Sequence, residues 1–162
     1  MNRMKQSTLA PVYDTKTRVM ILGSFPGEES LRKKQYYANQ RNIFWRIMGD
    51  CLGEDIAGAS YENRLRVLME HGLGLWDVYG ECQRVGSLDS AIRKGLRNDL
   101  SFFSSLPRLE LVCFNGQKSA AGAPDLPYKT VVLPSSSLAN TRLAYENKVG
   151  QWYEAIFPYI IR

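Results

Sequence analysis

Histidine is nearly absent from this chain: among 162 residues there is one, His71. A Ser-His-Asp or Cys-His nucleophilic system can therefore be built in one place only, and multi-histidine metal sites cannot be built at all. His71 follows a helical pattern over Tyr61 to Glu70 and precedes Gly72, the position where a helix C-terminus and its dipole favour a histidine. Cysteine is sparse as well. Cys51, Cys82 and Cys113 lie far apart with no CxxC pair, which argues against a disulfide framework or a thiolate cage and for a reducing compartment. No metal site is expected. The chain also lacks a Walker-type phosphate loop, and Gly72-Leu-Gly74 lacks the third glycine of a dinucleotide fingerprint, so no cofactor is expected. No secretory signal is visible at the N-terminus and no stretch approaches the ~20 apolar residues of a membrane span. The expectation is a soluble, cytoplasmic monomer with no membrane partner.

What is present is ordinary globular material. Hydrophobic residues make up 44% and charged residues 23%, which suits one domain spanning residues 1–162. Lys and Arg number 21 against 16 Asp and Glu, a net +5 that fits an anionic partner without requiring one. Arg18 to Gly23 is an apolar run ending in glycine, followed by the tight loop Ser24-Phe-Pro-Gly27 and a helix start at Glu28. Phe44, Ile47, Met48, Cys51 and Leu52 fall on one helical face that Gly53 can end, with Asn42 at the N-cap. A helix from Ser60 to about His71 leads into a buried strand over Leu73 to Tyr79. Ser87 to Ser90 reads as the start of a short helix ending near Gly95, and Asn98 caps a segment carrying Leu100, Phe102, Phe103 and Leu106. Strands over Leu109 to Phe114 and Thr130 to Leu133 follow, then an amphipathic helix carrying Val149, Trp152, Tyr153 and Ile156.

Four strands alternating with helices predict a three-layer α/β/α domain around a central four-stranded, mainly parallel sheet. Ligands of such sheets bind at the carboxyl ends of strands. The loops Ser24 to Gly27, Trp76 to Gly80 and Pro134 to Asn140 would meet there.

The segments Gly23-Ser-Phe-Pro-Gly27, Tyr36-Tyr-Ala-Asn39-Gln-Arg-Asn42-Ile-Phe-Trp45, Gly74-Leu-Trp-Asp-Val78, Gly86-Ser-Leu-Asp-Ser90 and Leu133-Pro-Ser-Ser-Ser137 resemble the uracil-DNA glycosylase superfamily, and within it the hypoxanthine-DNA (deoxyinosine) glycosylase branch. The resemblance runs from about residue 11 to 155. It implies a DNA substrate with a deaminated base, a uracil-DNA glycosylase-like fold and, in the Tyr-Tyr-Ala-Asn segment, an acting asparagine, here Asn39. Two departures stand out. Ser24-Phe25 replaces the first-loop asparagine of the mismatch-specific uracil enzymes, and Leu138 stands where the branch tends to have proline before Ala-Asn140.

Base removal requires the nucleotide to be flipped from the duplex into a pocket, and an aromatic floor to replace the lost stacking. Phe25 is the first candidate for that floor, with Tyr36 and Tyr37 beside it. Gly23, Ser24, Phe25, Pro26, Tyr37 and Asn115 are the expected base-binding set. The site must orient water and stabilise an oxocarbenium-like sugar. Asn39 can fix a water through its amide, or form an Asx-turn before the helix. Asp77 can polarise water, receive a hydrogen bond from the base, offset positive charge on the sugar, or cap a turn. Ser135, Ser136 and Ser137 can clamp phosphates, Leu138 can fill the vacated stack, and Asn140 and Arg142 can meet the DNA backbone. The expected activity is monofunctional hydrolysis of hypoxanthine from deoxyinosine. The alternatives are a uracil or thymine mismatch glycosylase and a catalytically silent damaged-DNA-binding module.

Overall fold

The computed structural model describes residues 4–83, 93–137 and 143–162. Its main sheet is four-stranded and parallel in the order β3-β2-β6-β7, formed by β2 (Val19–Gly23), β3 (Leu73–Asp77), β6 (Leu111–Asn115) and β7 (Lys129–Leu133). All five residues of β2 are buried, as are all five of β6, and both strands are apolar up to Asn115 at the end of β6, as central strands covered on both faces are. Strand pleating divides their side chains between two cores. Val19, Ile21, Leu111 and Cys113 face one core, shared with α2 (Phe44–Leu52), α3 (Tyr61–Glu70) and α5 (Tyr145–Ile156). Met20, Leu22, Val112 and Phe114 face the other, closed by a 3₁₀ segment at Leu100–Ser105 and by α4 (Gln117–Gly122). Each fully buried Leu, Ile, Val or Phe contributes about 1.5–3 kcal/mol. The three-layer α/β/α expectation therefore describes this fold.

The helix caps follow from sequence with two adjustments. Ser60 caps α3 by accepting from the Asn63 N–H, and His71 is its C-cap. Gly53 ends α2 at φ +68°, a left-handed turn that suits glycine. Ile43, rather than Asn42, holds the N-cap position of α2, although Asn42 Oδ1 accepts from the Phe44 N–H at 3.0 Å. Asp99, rather than Asn98, caps the 3₁₀ segment by accepting from the Ser101 N–H. Asn98 Nδ2 instead donates to the Asp77 carbonyl at 2.9 Å.

A second sheet was not expected. β1 (Met4–Gln6), β4 (Tyr79–Gln83) and β5 (Arg93–Arg97) pair antiparallel in the order β1-β4-β5. The run Leu73 to Tyr79 is thus two strands: β3 ends at Asp77, and after Val78 the chain continues as β4 in the smaller sheet. Arg93 to Arg97 is strand where a helix ending near Gly95 was expected, because it pairs with β4; the Ser87 to Ser90 helix start lies outside the described residues. The small sheet backs the first loop. Phe25 packs on Cys82 of β4 with Leu31 and Tyr79 beside it, and Val78 and Tyr79 N–H groups donate to the carbonyls of Gly23 and Ser24.

Candidate active site

The parallel register sets Gly23 beside Asp77 and Leu22 beside Phe114, so β2, β3 and β6 end at one edge of the sheet. A cavity of about 290 Å³ opens there, near the lower end of small-molecule sites, about 300–1,000 Å³. Its walls include Gly23, Ser24, Phe25 and Pro26 from the first loop, Tyr37 and Asn39 from the segment before α2, Asp77 and Asn115 from strand ends, and Ser135, Ser136 and Ser137 after β7. The described parts of the three loops singled out in sequence meet here, through Ser24 to Gly27, Asp77 and Ser135 to Ser137. Leu138, Asn140 and Arg142 lie outside the described residues.

The floor is built by close packing. A Cβ on Gly23 would stand 2.5 Å from Asp77 Oδ1 and 3.1 Å from the Tyr37 hydroxyl, so the missing side chain makes room for both groups. Ser119 Oγ donates to the Leu22 carbonyl at 2.8 Å, fixing this end of β2 from beneath. Asp77 is 5% exposed and Asn115 likewise. Asn115 Oδ1 accepts from the Ser136 N–H (2.9 Å), while its Nδ2 donates to Ser136 Oγ (2.9 Å) and to the Tyr37 hydroxyl (3.2 Å). Both amide hydrogens are thereby committed, which makes Asn115 the clamp joining β6, the serine loop and Tyr37.

Tyr37 sits at φ +54°, a left-handed backbone that a bulky residue rarely adopts. Its ring stacks on Phe44 at 4.0 Å, and the Asn115 bond holds its hydroxyl. Tyr36, beside it, is core: its hydroxyl donates to the Ala10 carbonyl at 2.7 Å, and burial followed by the charge of Asp77 holds its ionisation far above the ordinary tyrosine range. Phe25, at 5% exposure, is the aromatic wall next to the first loop.

Asn39, by contrast, is exposed and lies at the rim, where its Oδ1 accepts from the Arg41 N–H at 2.9 Å. That is the Asx-turn considered from sequence, and it leaves the amide with a fixed plane. The serine loop is held from behind by α5 and α2. Lys148 Nζ donates to the Ser135 carbonyl (3.2 Å), Trp152 Nε1 to the Pro134 carbonyl (2.9 Å) and the Ile43 N–H to the Ser136 carbonyl (3.1 Å). Ser137 N–H turns inward onto Ser135 Oγ at 3.1 Å. Lys148 is 4% exposed, and burial lowers its ionisation from the usual lysine range. No pattern in the sequence of the helix marks that lysine as buried. Ser30 was missed too: it lines the cavity and accepts from the Ala38 N–H through Oγ, bracing the segment that carries Tyr37 and Asn39. His71 is remote, its Nδ1 2.7 Å from the Ile161 carbonyl at the opposite end of β3. Among the described residues no group of three His, Cys, Asp or Glu side chains is placed to hold a metal, and no helix is long and apolar enough to cross a membrane.

A cavity at the carboxyl edge of a four-stranded parallel sheet, walled by these loops, defines an α/β protein with a base-sized pocket. The chain belongs to the uracil DNA glycosylase superfamily, whose pattern it matches over residues 10–160. It is 44% identical to the "Hypoxanthine DNA glycosylase" of Methanosarcina acetivorans, covering 90% of this chain and 94% of that protein. It is 43% identical to the protein of the same name in Methanosarcina barkeri, over 94% and 98% of the two. The fold also matches a solution NMR structure from Methanosarcina acetivorans, provisionally assigned as a uracil DNA glycosylase, with TM-score 0.84, 42% identity and coverage of 94% and 96%.

Proposed function

We propose that this protein is a monofunctional DNA glycosylase that hydrolyses the N-glycosidic bond of hypoxanthine in deoxyinosine as a step of base excision repair. Similarity to two hypoxanthine DNA glycosylases over nearly the whole chain supports the class. The observation that carries the reading is the cavity itself, a base-sized pocket with an aromatic wall and an exposed asparagine at its mouth. The flipped base enters past the rim and stacks on Phe25, an aromatic contact worth roughly 1–3 kcal/mol that replaces the lost duplex stacking. The sugar stays at the mouth.

Asn39 orients the attacking water there. Its Oδ1 already accepts from Arg41, and its second lone pair accepts from water, so the turn and the catalytic role use the same fixed amide. The water oxygen bonds to C1′ as the C1′–N9 bond breaks, the bonding pair leaves with the base, and the water's proton ends on the base. Hydrolysis of this kind needs no redox or group-carrying partner. Among the described residues no lysine lines the cavity, which favours hydrolysis over a Schiff-base lyase. Ser135 and Ser137 meet the DNA phosphates at the rim, contacts that position the duplex without reading sequence.

The test is a single-turnover assay in EDTA on duplexes carrying one deoxyinosine, deoxyuridine or undamaged nucleotide, scoring alkali-labile abasic sites, with Asn39→Ala alongside. Cleavage at deoxyinosine that Asn39→Ala abolishes without unfolding is expected. Cleavage of deoxyuridine alone moves the protein to the mismatch branch, and binding without any cleavage sinks the enzyme reading.

A further inference from the structure

We infer that Ser30 is a positioning residue for the reaction: from within helix α1 (Glu28–Lys33) it clasps the strained segment Lys34 to Ala38 and so sets the Asn39 amide at the cavity mouth. The inference rests on the glycosylase reading above for the role of Asn39. Ser30 itself acts on neither base nor sugar. A serine inside a helix commonly turns its hydroxyl back onto the carbonyl of the preceding turn. Here Oγ instead accepts from the Ala38 N–H at 3.0 Å, eight residues along the chain. The Ser30 carbonyl accepts from the Lys34 N–H and, at 3.1 Å, from the Gln35 N–H. One residue, 5% exposed, thus holds both ends of the segment.

The segment so held is strained. Among the described residues, Lys34 (φ +55°) and Tyr37 (φ +54°) are the two non-glycine residues with positive φ, and both lie in it. Lys34 is the left-handed C-cap of α1, a position that glycine usually fills. Such a backbone persists only where its surroundings over-determine it. The core grips the middle of the segment: the Tyr61 hydroxyl accepts from the Tyr36 N–H at 2.9 Å, and Trp45 Nε1 donates to the Tyr36 carbonyl at 3.0 Å. Beyond Tyr36 the chain makes its second left-handed turn, at Tyr37, and the next amide, one residue before Asn39, is the one that Ser30 Oγ holds. Loss of that bond frees the backbone about Tyr37 and Ala38 to relax, and Asn39 moves with it. Phe25 stands on the first loop and Asp77 on β3, so the base still finds its pocket. A displacement of about 1 Å in a group that aims a reactant costs on the order of 100-fold in rate. Ser30 therefore governs the chemical step and leaves binding alone.

The experiment compares Ser30→Ala and Ser30→Thr with wild type in single turnover on deoxyinosine duplexes, and repeats Ser30→Ala in an Asn39→Ala background. Ser30→Ala is expected to lower the rate about 10- to 100-fold. The Kd for a duplex carrying uncleavable 2′-fluoro-2′-deoxyinosine should change by less than about 3-fold, since the base contacts are untouched. Ser30→Thr keeps the hydroxyl and is expected to restore most of the rate. With Asn39→Ala already in place, Ser30→Ala should change the rate by less than about 3-fold, because a residue that acts through Asn39 has nothing left to position. The same loss in both backgrounds, or a loss carried by Kd with the rate intact, would overturn the proposal. Amide exchange at Arg41, whose N–H is bonded to Asn39 Oδ1, needs no substrate. Ser30→Ala should speed that exchange about 3- to 10-fold with α5 unchanged, and an unaltered Arg41 would overturn the proposal as well. This measurement decides the matter if Asn39→Ala leaves no rate to compare. A wild type that cuts neither deoxyinosine nor deoxyuridine, while Arg41 exchanges faster in Ser30→Ala, would sink the glycosylase reading and leave the clasp standing.

Discussion

The floor and the rim of the cavity are built on opposite principles. At the floor, Asp77, Asn115 and Ser136 are buried, and the amide of Asn115 ties β6, the serine loop and Tyr37 into one network. At the rim, Asn39 is exposed and bonded only locally, to the N–H two residues on. A buried network stakes stability on every bond, because a partner left unsatisfied carries the full desolvation cost. An exposed amide stakes almost nothing. The difference separates what positions the base from what performs the chemistry, and it can be tested by removing one group at a time.

The largest expected effect is at the rim and is kinetic. Asn39→Ala should lower the single-turnover rate on deoxyinosine roughly 100- to 1,000-fold, the usual consequence of losing one positioned polar group. Its stability should change by less than about 1 kcal/mol, since water replaces the amide on an exposed turn. A rate loss matched by an equal fall in Tm would erase the contrast. Next comes the floor, where effects should be coupled. Asn115→Leu leaves the buried Ser136 N–H without its acceptor, a cost of about 1–3 kcal/mol, and also removes the amide that donates to Ser136 Oγ and to the Tyr37 hydroxyl. At about 2–4 °C per kcal/mol for a domain of this size, calorimetry should record the fall together with lost activity.

A smaller effect should appear with pH. Burial pushes the thiol of Cys113 up to about 12, burial and then the Asp50 charge push that of Cys51 to about 12, and Tyr36 is raised as well. The folded chain holds these protons while the unfolded chain releases them, so their stabilising contribution is complete below about pH 9 and is lost as pH climbs toward 12. Lys148 acts with the opposite sign, its folded ionisation lying below the ordinary 10.5. Burial raises Tyr61 and Tyr145 as well, so the raised groups outweigh the one that is lowered. Urea unfolding between pH 8 and 11 should show stability falling, and a Cys51→Ala, Cys113→Ala variant should fall less steeply. A flat profile would mean that these thiols reach solvent.

The main sheet was legible because its central strands are apolar runs bounded by turns: Val19 to Gly23 and Leu111 to Phe114. The small sheet was not, because Met-Lys-Gln, Tyr-Gly-Glu-Cys-Gln and Arg-Lys-Gly-Leu-Arg carry no alternation, and what defines them is backbone pairing and the packing of Phe25 on Cys82. The apolar run through Val78 hid the break between β3 and β4 for the same reason. In the site, residue type pointed to Asn39, Phe25 and Asp77, but depth did not follow from type. One residue type yields an exposed turn at Asn39, a helix-start bond at Asn42 and a buried clamp at Asn115. Only the register of the strands decides which amide ends up at the floor.

Lys148 lies between the two regions and provides the finest test of their separation. Its ammonium is buried, yet it donates to Ser135 at the rim, so it either braces the loop or also lends charge to the DNA site. Lys148→Met keeps most of the side chain's volume and removes the charge. Loss of bracing alone would weaken DNA binding by the same factor at every salt concentration. Loss of charge beside a phosphate would also reduce the slope of log affinity against log salt, by about one unit for each phosphate no longer neutralised. Because Lys148 touches a carbonyl and sits behind the loop, the expected result is an affinity loss of only ~2- to 5-fold with an unchanged slope. A slope reduced by a full unit would show that the buried lysine reaches through the serine loop to a phosphate, and the rim would then draw its charge from the interior.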